Sequence, residues 1–217
     1  MDFGIDAGTL RTALLDVLIV IVSLTVHEWG HAIVADRLGD HTPRSEGRVT
    51  LNPFSHIDLI GTLLIPLLGA LGFFGSFGMI GWAKPVYTNP NNFRNRKADQ
   101  AWVTLAGPGM NIALALFAVL GMAIAVRSVP TLEPLLAKVL IINVSLCVFN
   151  LLPIPPLDGS KFLMYWFGMS EETYIRFAQW GGILLLVLVN IPAFRGILSF
   201  LIGLVLVPFA ALHQLLT

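Results

Sequence analysis

Charge is scarce in this chain. Lysine, arginine, aspartate and glutamate make up 12% of its 217 residues, about half the ~25% of an ordinary soluble domain. The 13 basic and 13 acidic side chains cancel and no basic tract stands out, so the electrostatic footprint of a nucleic-acid binder is absent. A single cysteine, Cys147, excludes an intramolecular disulfide framework. No basic stretch precedes the first apolar run and no small-residue cleavage site follows it, so a detachable signal peptide is not expected. Low-complexity tracts and long polar insertions are missing too. One domain over 1–217 is expected, with a core at about 10–168 and accessory helices at 174–216.

Apolar residues fill the space instead: 56% of the chain, at a mean hydropathy of +0.80. That leaves too little polar surface for a water-soluble globule. Several runs approach or exceed the ~20 residues that cross about 30 Å of hydrocarbon. The expected fold is an all-α integral membrane protein with about five spanning helices. The runs are Leu10 to Leu38, Ala101 to Val126, Leu135 to Leu152, Tyr174 to Ile191 and Phe194 to Leu216. A further apolar run, Ile57 to Ile80, is broken by Gly61, Pro66, Gly69, Gly72, Gly75 and Gly78, as suits a bent, re-entrant insertion. After Leu152 come Pro153, Pro155 and Pro156, which cannot continue a helix because each lacks a backbone donor and restricts its predecessor. Extended backbone at membrane depth must be buried in protein or line a wet cavity.

Within the first run stands His27-Glu28-Trp29-Gly30-His31. Histidines at i and i+4 share one helix face. Two imidazoles so placed can bind one Zn²⁺, with the intervening Glu28 as general base toward the attacking water. The plainer alternative is a pair of interior-facing histidines packed against a neighbouring helix, but ionisable groups inside a span are costly and usually functional. A catalytic zinc site needs a third protein ligand. Asp16 is two to three turns away on the same helix, and His41, His56 and Asp58 belong to the polar connection. Asp158, between the proline run and Gly159, is the best placed, although an aspartate there also suits a helix N-cap.

These motifs resemble those of the site-2 protease family, intramembrane zinc metallopeptidases that cut substrate proteins within or beside a membrane span. The resemblance rests on His27 to His31, on Ala106-Gly107-Pro108-Gly109-Met110-Asn111, and on the stretch from Asn150 to Gly159. It covers about Leu14 to Leu163 and fits the small subgroup without a PDZ domain. It implies that His27, His31 and Asp158 hold one Zn²⁺ per chain and that Glu28 is the base. By the same resemblance, Asn150 helps position the substrate or polarise its carbonyl, and Asn111 packs helices beside the site. Segment Gly81 to Val86 could offer a strand edge to an unwound substrate.

For His27 and Asp158 to meet, the run before Asp158 must travel toward the face where His31 lies, about 9 Å from the helix end at Arg37. The run at Ala101 then travels away from it, and 57–80 must enter and leave on one side. In that arrangement Arg37, Arg44, Arg48, Lys84, Arg94, Arg96 and Lys97 share one face, which the positive-inside rule names cytoplasmic, with Asp2 and Asp6 outside. The expectation is a multi-pass protein of a prokaryotic cell membrane, with its site nearer the cytoplasmic face and transmembrane proteins as substrates. Arg37, His41 and His56 are candidates for the mouth of a water path, or else solvated loop residues. Two rivals remain: a membrane metal transporter or sensor, and a binding scaffold without activity.

Overall fold

The computed structural model describes residues 6–71 and 81–217. Asp2, and Gly72, Gly75 and Gly78 of the expected insertion, lie outside the described residues. Among those described there is no strand, and five long helices dominate: α1 (Ala7–Arg37), α2 (Arg96–Ser128), α3 (Glu133–Asn150), α4 (Glu171–Leu188) and α5 (Pro192–Leu216). Side-chain oxygens of Asp6, Asn95 and Ser170 accept from the first-turn amides of α1, α2 and α4, supplying partners that the helix itself cannot. Gly39 ends the first helical run with φ at +104°, a conformation that side chains with a Cβ rarely adopt.

Helices α1 and α2 are antiparallel and very close. A Cβ added to Gly30 would meet Met110 Cγ at 2.6 Å and the Ala106 carbonyl oxygen at 3.0 Å. At the far end α3 runs parallel to α1, since Lys138 Nζ donates to Asp16 Oδ1 at 2.6 Å and Asn143 Nδ2 to Ser23 Oγ at 3.0 Å. Ile19, Val20 and Leu24 of α1 pack there on Ile142 and Leu146 of α3. Helix α5 closes the other side, packing through Leu198 and Phe209 on Val119, Val144 and Val148.

Among the described residues, four helical stretches are long and apolar enough to cross a membrane: α1, α2, Pro130–Asn150 and α5. The fifth expected run behaves differently. Arg127 Nη2 donates to the Leu216 carbonyl at 3.2 Å, so α5 ends where α2 ends and begins at the opposite, site-bearing end. Helix α4 starts beside the site and joins α5 there, so it does not complete a crossing. Its first six residues include Glu171, Glu172 and Arg176, leaving about 18 Å of apolar helix.

The ends of the 57–80 run adjoin. Trp82 N–H donates to the Gly61 carbonyl at 3.1 Å, and the Thr62 hydroxyl donates back to the Trp82 carbonyl at 2.8 Å. That juxtaposition agrees with an insertion that enters and leaves on one side. The run begins with a π-helical turn, Leu59–Leu64, capped by Asp58, and residues 81–89 beyond it form neither helix nor strand. Ala83 of this stretch is buried with α1 and α3. Two buried residues tie the stretch to the connection after α1. Arg48 donates to the carbonyls of Ser55, Lys84 and Pro85. Asp40 accepts from Asn89 N–H at 2.7 Å and Asn92 Nδ2 at 2.8 Å.

Candidate metal centre

The i, i+4 spacing on α1 stacks His27 and His31 one turn apart, 3% and 4% exposed. Asp158 reaches them because the chain doubles back after α3. The proline run leaves the helix, and Gly159 packs onto its last turn, where a Cβ would sit 2.1 Å from the Leu151 carbonyl oxygen. Three atoms then converge. His27 Nε2 and His31 Nε2 are 3.1 Å apart, and Asp158 Oδ2 is 3.1 Å from the first and 3.0 Å from the second. Among the described residues this is the one group of three or more histidine, cysteine or acidic side chains able to share a metal ion.

The donor set fits zinc. Three ligands of a tetrahedral Zn²⁺ at about 2.0–2.1 Å stand about 3.3–3.4 Å from one another, close to the spacing here. Both imidazoles are also turned correctly. His31 Nδ1–H donates to the Val103 carbonyl at 2.6 Å, and His27 Nδ1–H to Asn111 Oδ1 at 2.6 Å. Each ring therefore offers its Nε2 lone pair inward, as outer hydrogen bonds usually arrange for ligating histidines. Lys161 Nζ donates to Asp158 Oδ1 at 3.0 Å, leaving Oδ2 as the oxygen that faces the histidines. Gly107 provides the room: a Cβ there would lie 2.3 Å from His31 Nε2 and 2.6 Å from His27 Nε2.

The centre opens into a cleft of about 980 Å³ between α1, the stretch 81–89, the start of α2 and the turn region around Asp158. Glu28, half-buried, lines it and accepts from Val86 N–H at 3.1 Å through Oε2. Asn150 lines it as well, its Nδ2 donating to the Leu146 carbonyl one turn back. The stretch 81–89 is thus fastened by Arg48 and Asp40 on one side and meets Glu28 on the other. Burial opposes the charge on Asp40, but hydrogen bonds from Thr42, Asn92 and Asn89 outweigh it and hold the carboxyl below its ordinary range.

The other candidates lie elsewhere. Asp16 pairs with Lys138, and Asp58 caps its helical turn. The suggested mouth of a water path is corrected: Arg37, His41 and His56 do not line the cleft. His41 turns to Asp36 at 3.0 Å, and His56 is buried in its own loop with Nε2 on the Thr50 carbonyl at 2.9 Å. Arg96, Lys97 and Glu171 border the opening instead. Asn111 does more than pack helices, since it holds His27. Lys161 and Asn143 were not singled out, and Gly107 stood only as one residue of a motif, without a role. The signal for Lys161 was its place three residues beyond Asp158, and for Asn143 its polarity inside an apolar run.

Comparison with known proteins places these residues in a family context. The profile of Peptidase family M50 matches residues 120–189. The chain is 36% identical over 155 residues to "Putative zinc metalloprotease YwhC" of Bacillus subtilis, covering 68% of this chain and 66% of that protein. It is 34% identical over 178 residues to "Putative zinc metalloprotease Rip2" of Mycolicibacterium smegmatis, covering 80% and 65%. A protein of the same name from Mycobacterium tuberculosis is 33% identical over 180 residues, covering 81% and 66%. The chain thus spans just under two thirds of the length of these relatives. No solved structure matches it significantly.

Proposed function

We propose that this chain, which is similar to putative zinc metalloproteases and matches Peptidase family M50 over residues 120–189, is an intramembrane zinc metalloendopeptidase of the site-2 protease type that hydrolyses peptide bonds of transmembrane substrate proteins. The observation that carries this reading is the triangle of His27 Nε2, His31 Nε2 and Asp158 Oδ2, with edges of 3.0–3.1 Å, opening on a cleft that the Glu28 carboxylate also lines. The protein is multi-pass; we place it in the cell membrane as a single domain over 1–217. The basic residues gathered at the site-bearing end favour a cytoplasmic orientation for that end.

His27, His31 and Asp158 would hold the zinc, which when bound acidifies water and polarises a carbonyl. Glu28 is the general base. Its carboxylate takes a proton from the attacking water and returns it to the leaving amine. Val86 N–H on Oε2 keeps that carboxylate at the cleft wall. A helical peptide shields its scissile carbonyl, so the substrate has to unwind first, and helix-weakening residues near the cut assist it. The stretch 81–89 is suited to receive the unwound segment by backbone pairing. Asn150, at the cleft wall, is assigned to the substrate carbonyl. The transporter alternative calls for a relay of ionisable groups. Behind His27, however, the next polar partners are two amides and a hydroxyl, Asn111, Asn143 and Ser23.

The test is cleavage of a membrane-embedded peptide bearing a glycine-weakened helix, with enzyme and peptide reconstituted together in vesicles. The wild type is expected to cut within or beside the span and Glu28→Gln to leave the peptide intact. Equal cleavage by both proteins would refute the assignment of the base.

A further inference from the structure

The two histidines are oriented by unlike partners. The Val103 carbonyl beside His31 Nδ1 can only accept, so that ring must carry its proton on Nδ1 and keep the Nε2 lone pair. His27 Nδ1 faces instead a primary amide, which has one accepting and one donating end. Were Asn111 turned over, its NH₂ would face Nδ1, the ring proton would shift to Nε2, and the metal side of His27 would present N–H. The sense of the Asn111 amide therefore has to be set from elsewhere.

It is set one helix further away. Asn111 Nδ2 donates to Asn143 Oδ1 at 2.9 Å, and Asn143 Nδ2 donates to the Val139 carbonyl at 2.9 Å and to Ser23 Oγ at 3.0 Å. The Val139 carbonyl, like that of Val103, can only accept. It demands the NH₂ end of Asn143, which turns the Asn143 carbonyl to Asn111. Asn111 must then answer with its own NH₂, and its carbonyl is left for His27 Nδ1–H. Asn111 and Asn143 are 0% exposed and Ser23 is 2% exposed, so bulk water offers no substitute partner. Reversing either amide would set carbonyl against carbonyl in a buried place.

We propose that Asn143 is a positioning residue of the metal centre: acting through Asn111, it holds His27 as the Nδ1–H tautomer and so keeps the Nε2 lone pair ready for zinc. This rests on the zinc reading above.

The experiment measures zinc affinity of the detergent-purified full chain by competition with a chromophoric chelator. Wild type, Asn143→Leu and the double variant Asn143→Leu/Asn111→Asp are compared. Asn143→Leu is expected to bind zinc about tenfold more weakly, the lower end of the loss seen when the direct outer partner of a ligating histidine is removed, because Asn143 acts through that partner. The double variant is expected to recover, because a carboxylate accepts at either oxygen and needs no orienting. Wild-type affinity in Asn143→Leu would overturn the proposal. So would equal weakness in single and double variants, which marks Asn143 as a packing residue only. If Asn143→Leu does not fold, Asn143→Ala is used with and without Asn111→Asp, judged the same way. A wild type that takes up no zinc would overturn the metal reading itself, and this proposal with it.

Discussion

Replacing Gly107 by alanine tests the site's geometry with a single methyl group. The added Cβ would lie 2.3 Å from His31 Nε2 and 2.6 Å from His27 Nε2, the two atoms assigned to the metal. Real Cβ contacts essentially never fall under 3.0 Å, so His31 has to retreat by at least about 0.7 Å. Metal sites hold their ligand distances to about ±0.2 Å, so the retreat exceeds what the site tolerates. Overpacking of this kind costs about 1–3 kcal/mol, and taken out of binding it weakens zinc by about five- to 150-fold. Gly109, two residues along the same helix, is the control. Its added Cβ meets nothing within 4 Å, and alanine there should stabilise the helix by about 0.5–1 kcal/mol. Zinc affinity by chelator competition and thermal unfolding are measured on both variants. The reasoning is refuted if Gly107→Ala binds zinc as the wild type does, or if Gly109→Ala loses zinc equally.

Two further outcomes concern the anchoring of the stretch 81–89. Arg48, 5% exposed, donates to three carbonyls, so Arg48→Met should cost about 2–3 kcal/mol. It should also speed proteolytic cutting at 81–92, and an unchanged melting temperature and cutting rate would contradict the anchor role. The Asp40 carboxyl is held below its ordinary range, so its stabilisation is fully present above the unfolded value of about 3.9 and is lost as pH falls through the lower folded value. Thermal unfolding of wild type and Asp40→Asn should therefore differ at pH 7, with a gap that starts to close only as pH falls below about 4. A gap independent of pH would count against it.

The histidine helix was legible because two strong signals coincide there: a spanning apolar run and ionisable residues one turn apart. Asp158 could be found because the proline run forbids helix at a depth where backbone must be sheltered. The adjoining ends at Gly61 and Trp82 could be anticipated from connectivity, since His27 and Asp158 must meet at one depth. Helix α4 was harder to place. Its apolar second half reads the same whether it crosses lipid or lies along the site, and only contacts elsewhere, such as Arg127 with Leu216, decide between them. His41 is exposed, as the solvated-loop reading had it, whereas His56 was misjudged because its burial against the Thr50 carbonyl is set by turn geometry that composition does not reveal. Asn143 passed unnoticed because one asparagine in an apolar run gives no hint of its neighbours. Its meaning depends on Asn111 and Ser23 arriving from two other helices.

The central claim is that His27, His31 and Asp158 form one zinc site from two distant parts of the chain. Zinc content per chain, measured on purified wild type, Asp158→Ala and Glu28→Gln, tests it most directly. The expected result is about one zinc in wild type and in Glu28→Gln, and little in Asp158→Ala. Full zinc in Asp158→Ala would contradict the claim and place the third ligand elsewhere.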